Sequence, residues 1–221
     1  MKKKYLSITL FLILCFFKAQ ATNYYINPTN GNDSGNGLTT TTAFRSLSKI
    51  EALNLQPGDV VYFMEGTYTN PGQTLLQINK SGTANNWITF KNYPNHKPIF
   101  EFDSWTCIDV IGGSSYLNFE GLTIKGARSK VNAQNALNQG ASCEANFKGN
   151  PEGLYNGTGI LVVGPNLTWS NNATTSIPHH INVNNCEIYD CTSSGVAFQQ
   201  ADYVTITNNK IYNNCWYTIY G

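Results

Sequence analysis

An internal repeat constrains this chain more than any other feature. Residues 181–189 match residues 204–212 at an offset of 23 residues. The matching positions are apolar, asparagine or tyrosine pairs: Ile181/Val204, Val183/Ile206, Ile188/Ile211, Asn185/Asn208 and Tyr189/Tyr212. Self-similarity at a short fixed period is typical of solenoids, in which each repeat forms one coil. An antiparallel sandwich gives no reason for such matches, so the repeat predicts a parallel β-helix.

A third segment fits the same template and shows where each coil bends. Residues 117–124 carry Gly121 at the position of Asn185 and Asn208. Glycine and asparagine suit a bend because they tolerate left-handed backbone better than other residues. Equivalent residues of successive coils lie about 4.8 Å apart. We therefore expect three contacts between coils: an Asn185–Asn208 amide ladder, a Tyr189–Tyr212 stack and a Glu187–Lys210 ion pair.

Short apolar runs between Gly, Asn and Pro predict strands along the chain. The predicted strands are 24–26, 60–63, 88–91, 98–102, 107–111, 116–119, 122–124, 159–163, 181–183, 187–189, 196–198, 203–206, 210–212 and 217–220. Before them, Thr42 can cap a helix whose apolar residues Phe44, Leu47, Ile50 and Leu53 recur every three positions. Such a helix would cover the open start of the solenoid.

The predicted organisation has three parts. Residues 1–21 form a signal peptide, residues 22–86 a cap with a strand, a helix and the first coil, and residues 87–221 the coils of the β-helix. The coil pattern fails at 126–157, which predicts a long loop insertion, and a second polar excursion spans 165–178. Long loops that leave a rigid scaffold often build binding surfaces, although they can also be tolerated insertions.

The first residues predict export. Three lysines at positions 2–4 precede an apolar run at 5–17, and Ala19-Gln20-Ala21 is a small-x-small cleavage pattern. The run is shorter than the ~20 residues that span a bilayer. We therefore expect cleavage after Ala21, no membrane span afterwards, and a protein that is secreted or held at the cell surface.

Charge and cysteine content narrow the possible partners. Without the signal peptide the chain has 10 basic and 13 acidic residues and no basic block, which argues against nucleic acid as a partner. Five cysteines remain, so at least one thiol is unpaired within the chain. The pairing is open among Cys107, Cys143, Cys186, Cys191 and Cys215.

Several motifs at the start of the mature chain resemble a known family. They are Asn23-Tyr24-Tyr25-Ile26-Asn27-Pro28, Gly31-Asn32-Asp33, Pro57-Gly58-Asp59-Val60-Val61-Tyr62, Gly66-Thr67-Tyr68 and Ile88-Thr89-Phe90-Lys91-Asn92-Tyr93-Pro94. They resemble the N-terminal portion of secreted bacterial proteins of the pectate-lyase-like and chondroitinase/alginate-lyase-like superfamily. The resemblance implies an all-β, right-handed parallel β-helix with a short N-terminal cap helix. It also implies a polysaccharide partner. The sequence stops partway through a coil, so we expect a C-terminal end without a cap: either partner chains cover it, or the chain is a fragment of a longer protein, which we favour.

The resemblance implies a lyase that cleaves an acidic glycan by β-elimination. Such an enzyme neutralises the C6 carboxylate of a uronate, with calcium or a side chain, and removes the C5 proton with a base. This sequence has no evident counterpart of the acidic calcium cluster of pectate-lyase-like proteins. It also lacks the paired aspartates of polygalacturonase-like hydrolases, which are β-helices too.

The candidate site residues follow from this chemistry. They are Lys125 and Arg128 for catalysis, Tyr189, Tyr212 and His180 for substrate binding, and Asp190 and Asp202 for a metal, with calcium as the possible ion. Simpler roles are open for all of them: solvated loop charges, turn-forming acids, and aromatic residues that stack within the fold. His179 and His180 should face opposite sides of a strand and so should not share one metal.

Two functions remain open on the sequence alone. The first is a secreted polysaccharide lyase that acts on an acidic glycan. The second is a non-catalytic β-helix that binds a glycan or serves as an adhesive module at the cell surface.

Overall fold

The computed structural model describes residues 21–140, 152–164 and 177–215. They form fifteen strands: β1 Asn23–Ile26, β2 Val60–Phe63, β3 Gly66–Tyr68, β4 Leu76–Ile78, β5 Ile88–Asn92, β6 Pro98–Glu101, β7 Thr106–Val110, β8 Ser115–Glu120, β9 Thr123–Lys125, β10 Thr158–Val163, β11 His179–Asn184, β12 Glu187–Tyr189, β13 Val196–Gln199, β14 Asp202–Thr207 and β15 Lys210–Tyr212. The α-helices are α1 Ser48–Ala52 and α2 Ala133–Gly140, and 3₁₀ turns span Arg128–Lys130 and Gly153–Tyr155.

The strands stack into three parallel sheets, as the repeat predicts. The six-stranded sheet has the order β1-β2-β5-β8-β11-β14, the five-stranded sheet β15-β12-β9-β6-β3 and the four-stranded sheet β13-β10-β7-β4. Ile181 pairs with Val204 and Glu187 with Lys210, which is the 23-residue register of the sequence. The chain is therefore a parallel β-helix in which each full coil contributes one strand to each sheet.

Alternate residues of each strand fill the interior in columns. Phe90 and Phe119 occupy equivalent positions in β5 and β8 and are fully buried, with their rings stacked at 5.2 Å. Phe100 stacks on Tyr68 in the same way, at 4.9 Å. In the last described coil the equivalent positions are exposed, as at Ile206 and Ile211.

The bends between the six-stranded and five-stranded sheets have the predicted backbone. Gly121, Asn185 and Asn208 all have positive φ, between 53° and 67°. The contacts nearby differ from the prediction. The amide of Asn208 donates to Asn184 Oδ1 at 3.1 Å rather than to Asn185. Glu187 and Lys210 are in register, but Glu187 forms its ion pair with Lys97, at 2.7 Å.

The cap helix is shorter than predicted, because its first residues pair with β1 instead. Phe44 forms a parallel bridge with Ile26, and α1 begins only at Ser48, without Thr42 as its cap. A carboxylate fixes this geometry: Asp33 accepts hydrogen bonds from the backbone N–H groups of Arg45 and Ser46, at 2.8 and 2.9 Å. The apolar stripe itself is confirmed, since Phe44, Leu47 and Ile50 are buried.

Other sequence predictions fall partly outside the described residues. The signal peptide (apart from Ala21), the strand at 217–220 and Cys143 lie there. The insertion at 126–157 carries α2 and two 3₁₀ turns where it is described, and β3 and β4 are strands that the sequence did not reveal. Cys107, Cys186, Cys191 and Cys215 are free thiols.

None of the helices that the structure describes is long and apolar enough to cross a membrane.

Candidate functional site

Charged side chains cluster where the chain leaves the five-stranded sheet. Strand β9 ends at Lys125, and a 3₁₀ turn carries Arg128 and Lys130. The backbone here is held against the next coil, because Gly126 N–H donates to the carbonyl of Tyr189 at 2.9 Å and Arg128 N–H to that of Asp190 at 3.1 Å. The basic side chains therefore project from a fixed part of the solenoid.

Each of these basic residues has a carboxylate partner. Lys125 Nζ lies 3.4 Å from Glu101 Oε1, Arg128 Nη1 3.7 Å from Asp190 Oδ1, and Lys130 Nζ 2.7 Å from Asp103 Oδ2. All three pairs are partly open to solvent. We call these six residues the charged corner: Glu101, Asp103, Lys125, Arg128, Lys130 and Asp190.

The carboxylates of the charged corner keep its cations in place. A hydrogen bond from Gly72 N–H and another from Lys130 hold the pKa of Asp103 below its usual range, so Asp103 stays ionised at neutral pH. Ion pairs this exposed contribute little to stability, about 0–1 kcal/mol each. An anionic ligand can therefore compete for the lysine and arginine side chains at small cost to the fold.

An aromatic pair adjoins the charged corner. Tyr189 is the register neighbour of Lys125, and its ring stacks on that of Tyr212 at 5.3 Å with an interplanar angle of 6°. This confirms the predicted stack. The hydroxyl of Tyr212 donates to Glu187 Oε1 at 3.0 Å, and hydrogen bonds from Lys97 and Tyr212 hold the pKa of Glu187 below its usual range. The exposed tyrosine edges offer a surface for a sugar ring.

Trp105 is a neighbour of this site that the sequence did not single out. Its side chain is 46% exposed, and it lies two residues after Asp103, immediately before β7. Its carbonyl accepts a hydrogen bond from Thr158 N–H at 2.8 Å, which fixes its backbone. The sequence did contain a signal for an exposed binding residue: Trp105 lies in a short loop between two predicted strands, where a large aromatic side chain need not be buried.

His180 and Asp202 lie elsewhere, on the six-stranded sheet. His180 stacks between Tyr116 and Tyr203, with ring centroids 4.7 and 4.6 Å away. A positive φ of 56° at His180 breaks the alternation of a regular strand, so His179 Nδ1 and His180 Nδ1 meet at 2.8 Å. The expectation that the two histidines face opposite sides is therefore wrong.

The proposed metal ligands do not share a site. Asp190 follows β12 and pairs with Arg128, whereas Asp202 begins β14 and is exposed. Among the described residues no group of three or more His, Cys, Asp or Glu side chains is arranged to hold a metal ion. Asp190 and Asp202 thus do not fit a common calcium ion, and no step below depends on one.

Asp109 is a largely buried carboxylate that the sequence did not reveal. It lies in β7 between Ile108 and Val110, on the outer side of the four-stranded sheet. Its Oδ1 atom is buried and has no hydrogen-bond partner in the described structure. The pKa of Asp109 is raised, because the effect of burial exceeds that of a hydrogen bond from Thr106, which lowers the pKa.

We expect Asp109→Asn to stabilise the fold at neutral pH by about 1 kcal/mol, because the amide carries no charge and so avoids the cost of burying an ionised carboxylate. Because the folded-state pKa lies above the unfolded one, ionisation opposes folding, and stability is lost as pH rises through the folded value. The gain should shrink toward pH 4, below which both states are protonated. Chemical denaturation at several pH values measures it, with the exposed Asp202→Asn as control. A loss of stability at pH 7 would refute this account of Asp109.

Comparisons with known proteins agree with this architecture. The family model described as "Pel9A-like, right handed beta helix region" matches residues 24–202. A search of curated proteins gives no match. Among solved structures, pectate lyase Pel9A is 19% identical with a TM-score of 0.58 over 88% of this chain. A GH136 lacto-N-biosidase from Eubacterium ramulus is 20% identical with a TM-score of 0.57 over 85% of it.

These likenesses confirm the predicted right-handed parallel β-helix. At such low identity they establish the fold alone. The alignments cover 41% of the pectate lyase and 34% of the lacto-N-biosidase, so this chain spans less than half the length of either protein.

Proposed function

The chain belongs to the Pel9A-like right-handed β-helix family, a carbohydrate-active family, and on that premise we propose that it is a secreted polysaccharide lyase that acts on an acidic glycan. The observation that carries the proposal is the charged corner beside the stacked tyrosines. Five candidates from the sequence meet there: Lys125, Arg128, Tyr189, Asp190 and Tyr212. The fold neighbour named as a pectate lyase indicates which glycans to test first.

Arg128 neutralises the uronate carboxylate in this proposal. A guanidinium cannot lose its proton in a protein, and its planar fork matches a carboxylate in two parallel hydrogen bonds. One of its partners is Asp190, whose Oδ1 atom lies 3.7 Å from Nη1, and this ion pair is open to solvent. A substrate carboxylate that replaces Asp190 costs the fold little, because exposed ion pairs contribute little to stability, and its binding to Arg128 acidifies the C5 proton of the sugar.

Lys125 is the proposed base, because a lysine can be deprotonated in an active site and an arginine cannot. The unprotonated amine takes the C5 proton, the C5–H electron pair forms the C4–C5 double bond, and the bond from C4 to the glycosidic oxygen breaks. The leaving oxygen takes a proton from solvent. The ammonium form of Lys125, 3.4 Å from Glu101, returns its proton to solvent before the next turnover.

The direct test follows the unsaturated product. The full chain is incubated with pectate, alginate and chondroitin, and the absorbance of the new double bond is recorded. We expect a rise on at least one uronate polymer and none on a neutral glucan. The absence of a rise on all three polymers would contradict the lyase proposal for them.

A non-catalytic glycan-binding module is the second candidate. The observation that favours it is that Lys125, Arg128 and Lys130 all pair with carboxylates, an arrangement that suits a binding surface as well as a catalytic one. Retardation of the protein in a gel containing polygalacturonate, without any unsaturated product, would support this candidate over the first.

A further inference from the structure

A second surface of the β-helix carries regularly spaced hydrogen-bonding groups. On the outer side of the six-stranded sheet one uncharged polar residue occupies the same position in four successive coils: Thr89, Asn118, Asn182 and Thr205. Two residues further along the last two strands, Asn184 and Thr207 form a neighbouring pair. We call these six residues the polar face. Together with Trp87 they line a shallow depression of about 510 Å³.

The polar face differs from the charged corner in its charge. None of the residues that line the depression is ionisable. The nearest charged positions in the same register are Lys91 and Glu120, which neutralise each other across 3.2 Å. This surface therefore offers an anionic polymer no electrostatic attraction. An uncharged ligand can bind it without removing a charged group from water.

Several groups of the polar face are available to a ligand. The side chains of Thr89, Asn182 and Thr205 have no hydrogen-bond partner among the described residues; Thr89 and Asn182 are half-buried and Thr205 is exposed. A hydroxyl and a carboxamide each donate and accept, as a sugar hydroxyl does. Because the coils repeat about every 4.8 Å, Asn182 and Thr205 lie one coil apart, and Thr89 lies two coils from Asn182. Asn118 lies between Thr89 and Asn182, and its amide donates to Glu120 Oε2 at 3.4 Å.

Aromatic rings form a rigid wall along one side of the polar face. Each of the four strands has an aromatic residue directly before its first inward apolar residue: Trp87, Tyr116, His180 and Tyr203. Successive ring centroids lie 5.6, 4.7 and 4.6 Å apart. Trp87 also lines the depression itself. An aromatic wall beside hydroxyl and amide groups suits the two sides of a sugar ring, which has apolar C–H groups as well as hydroxyls.

We propose that the polar face binds an uncharged polysaccharide, whose chain lies along the solenoid axis and crosses successive strands. This goes beyond the proposed lyase function, since it uses a different sheet and a different class of glycan. The absence of charge in the depression and the free hydroxyl and amide groups both favour an uncharged sugar chain as the ligand.

Affinity gel electrophoresis of the full chain tests the proposal, with galactomannan, xylan or hydroxyethyl cellulose in the gel. We expect retardation by at least one of them. The double variant Asn182→Ala/Thr205→Ala should weaken binding about tenfold, from two lost hydrogen bonds. Thr67→Ala, an exposed threonine of the five-stranded sheet, is the matched control and should bind like the wild type. Thermal melting verifies that the variants are folded.

Two results would overturn the proposal: no retardation by any neutral polymer, or equal retardation of the wild type and the double variant. The charged-corner variant Arg128→Ala separates this surface from the lyase site. It should keep neutral-glycan binding whether or not the chain cleaves an acidic polymer. Light scattering gives a further test. If the wild type is a dimer and the double variant a monomer, the polar face serves self-association, which would refute glycan binding.

Discussion

Arg128→Ala should lower kcat/KM on the susceptible acidic polymer by about 10- to 100-fold. This range corresponds to one charge-assisted hydrogen bond, about 1.5–3 kcal/mol. Arg128 is the member of the charged corner that cannot lose its proton, and its Nη1 atom lies 3.7 Å from Asp190 Oδ1. The variant leaves the uronate carboxylate without its counter-charge, so the C5 proton is less acidic. Initial rates of double-bond absorbance measure the effect.

Two further variants sharpen this experiment. Arg128→Lys keeps the charge but loses the two-pronged geometry, so it should recover only part of the activity. Lys91→Ala is the matched control, since Lys91 is also paired with a carboxylate but on the six-stranded sheet. Its activity on the acidic polymer should equal that of the wild type. Equal activity of Arg128→Ala and the wild type would remove Arg128 from the mechanism.

Phe119→Ala should destabilise the fold by about 3–5 kcal/mol, the usual cost of removing a buried phenylalanine. Phe119 is fully buried, and its ring stacks on Phe90 of the preceding coil at 5.2 Å. Truncation leaves a cavity that the neighbouring coils cannot close, because their spacing is set by the backbone hydrogen bonds of parallel strands. Chemical denaturation monitored by circular dichroism measures the free energy of unfolding.

The adjacent residue provides the control for this second prediction. Asn118 lies in the same strand and points to the outer side, so Asn118→Ala should change the free energy of unfolding by about 0.5 kcal/mol or less. Similar losses from both variants would contradict the alternation of buried and outer positions in β8.

The sequence predicted the coil register well, because the register and the side-chain pattern have the same physical cause. Stacked parallel strands place equivalent residues against each other, so selection for packing repeats them at the coil length. The match of Ile181 with Val204 and the bends at Asn185 and Asn208 are confirmed for this reason. The Tyr189–Tyr212 stack follows from the same register.

Contacts between distant coils could not be predicted in the same way. Glu187 pairs with Lys97, which is 90 residues away in the sequence, in preference to its register neighbour Lys210. The long and flexible lysine side chain can contact a carboxylate outside its own register. The repeat therefore does not predict which ion pair forms. The left-handed backbone at His180 could not be predicted either, because a strand pattern predicts that successive side chains point to opposite sides of the sheet.

The candidate site was only partly predictable. Lys125 and Arg128 were identified because they are basic residues at the start of the insertion at 126–157. The structure places Lys125 beside Tyr189 and Arg128 beside Asp190. Their pairing with Glu101 and Asp190 required the fold, because the partners come from other coils. Asp109 was missed, since an acidic residue between two apolar ones in a strand normally indicates an exposed position.

Isotope labelling of the products tests the proposed chemistry most directly. The chain is incubated with the susceptible acidic polymer in water enriched in oxygen-18, and the oligosaccharides are analysed by mass spectrometry. β-Elimination forms a double bond and adds no water, so we predict unsaturated products without the heavy oxygen at the cleaved bond. Saturated products that carry one heavy oxygen per cleavage would show hydrolysis, and the absence of any products would show no cleavage. Either result would contradict the proposed lyase.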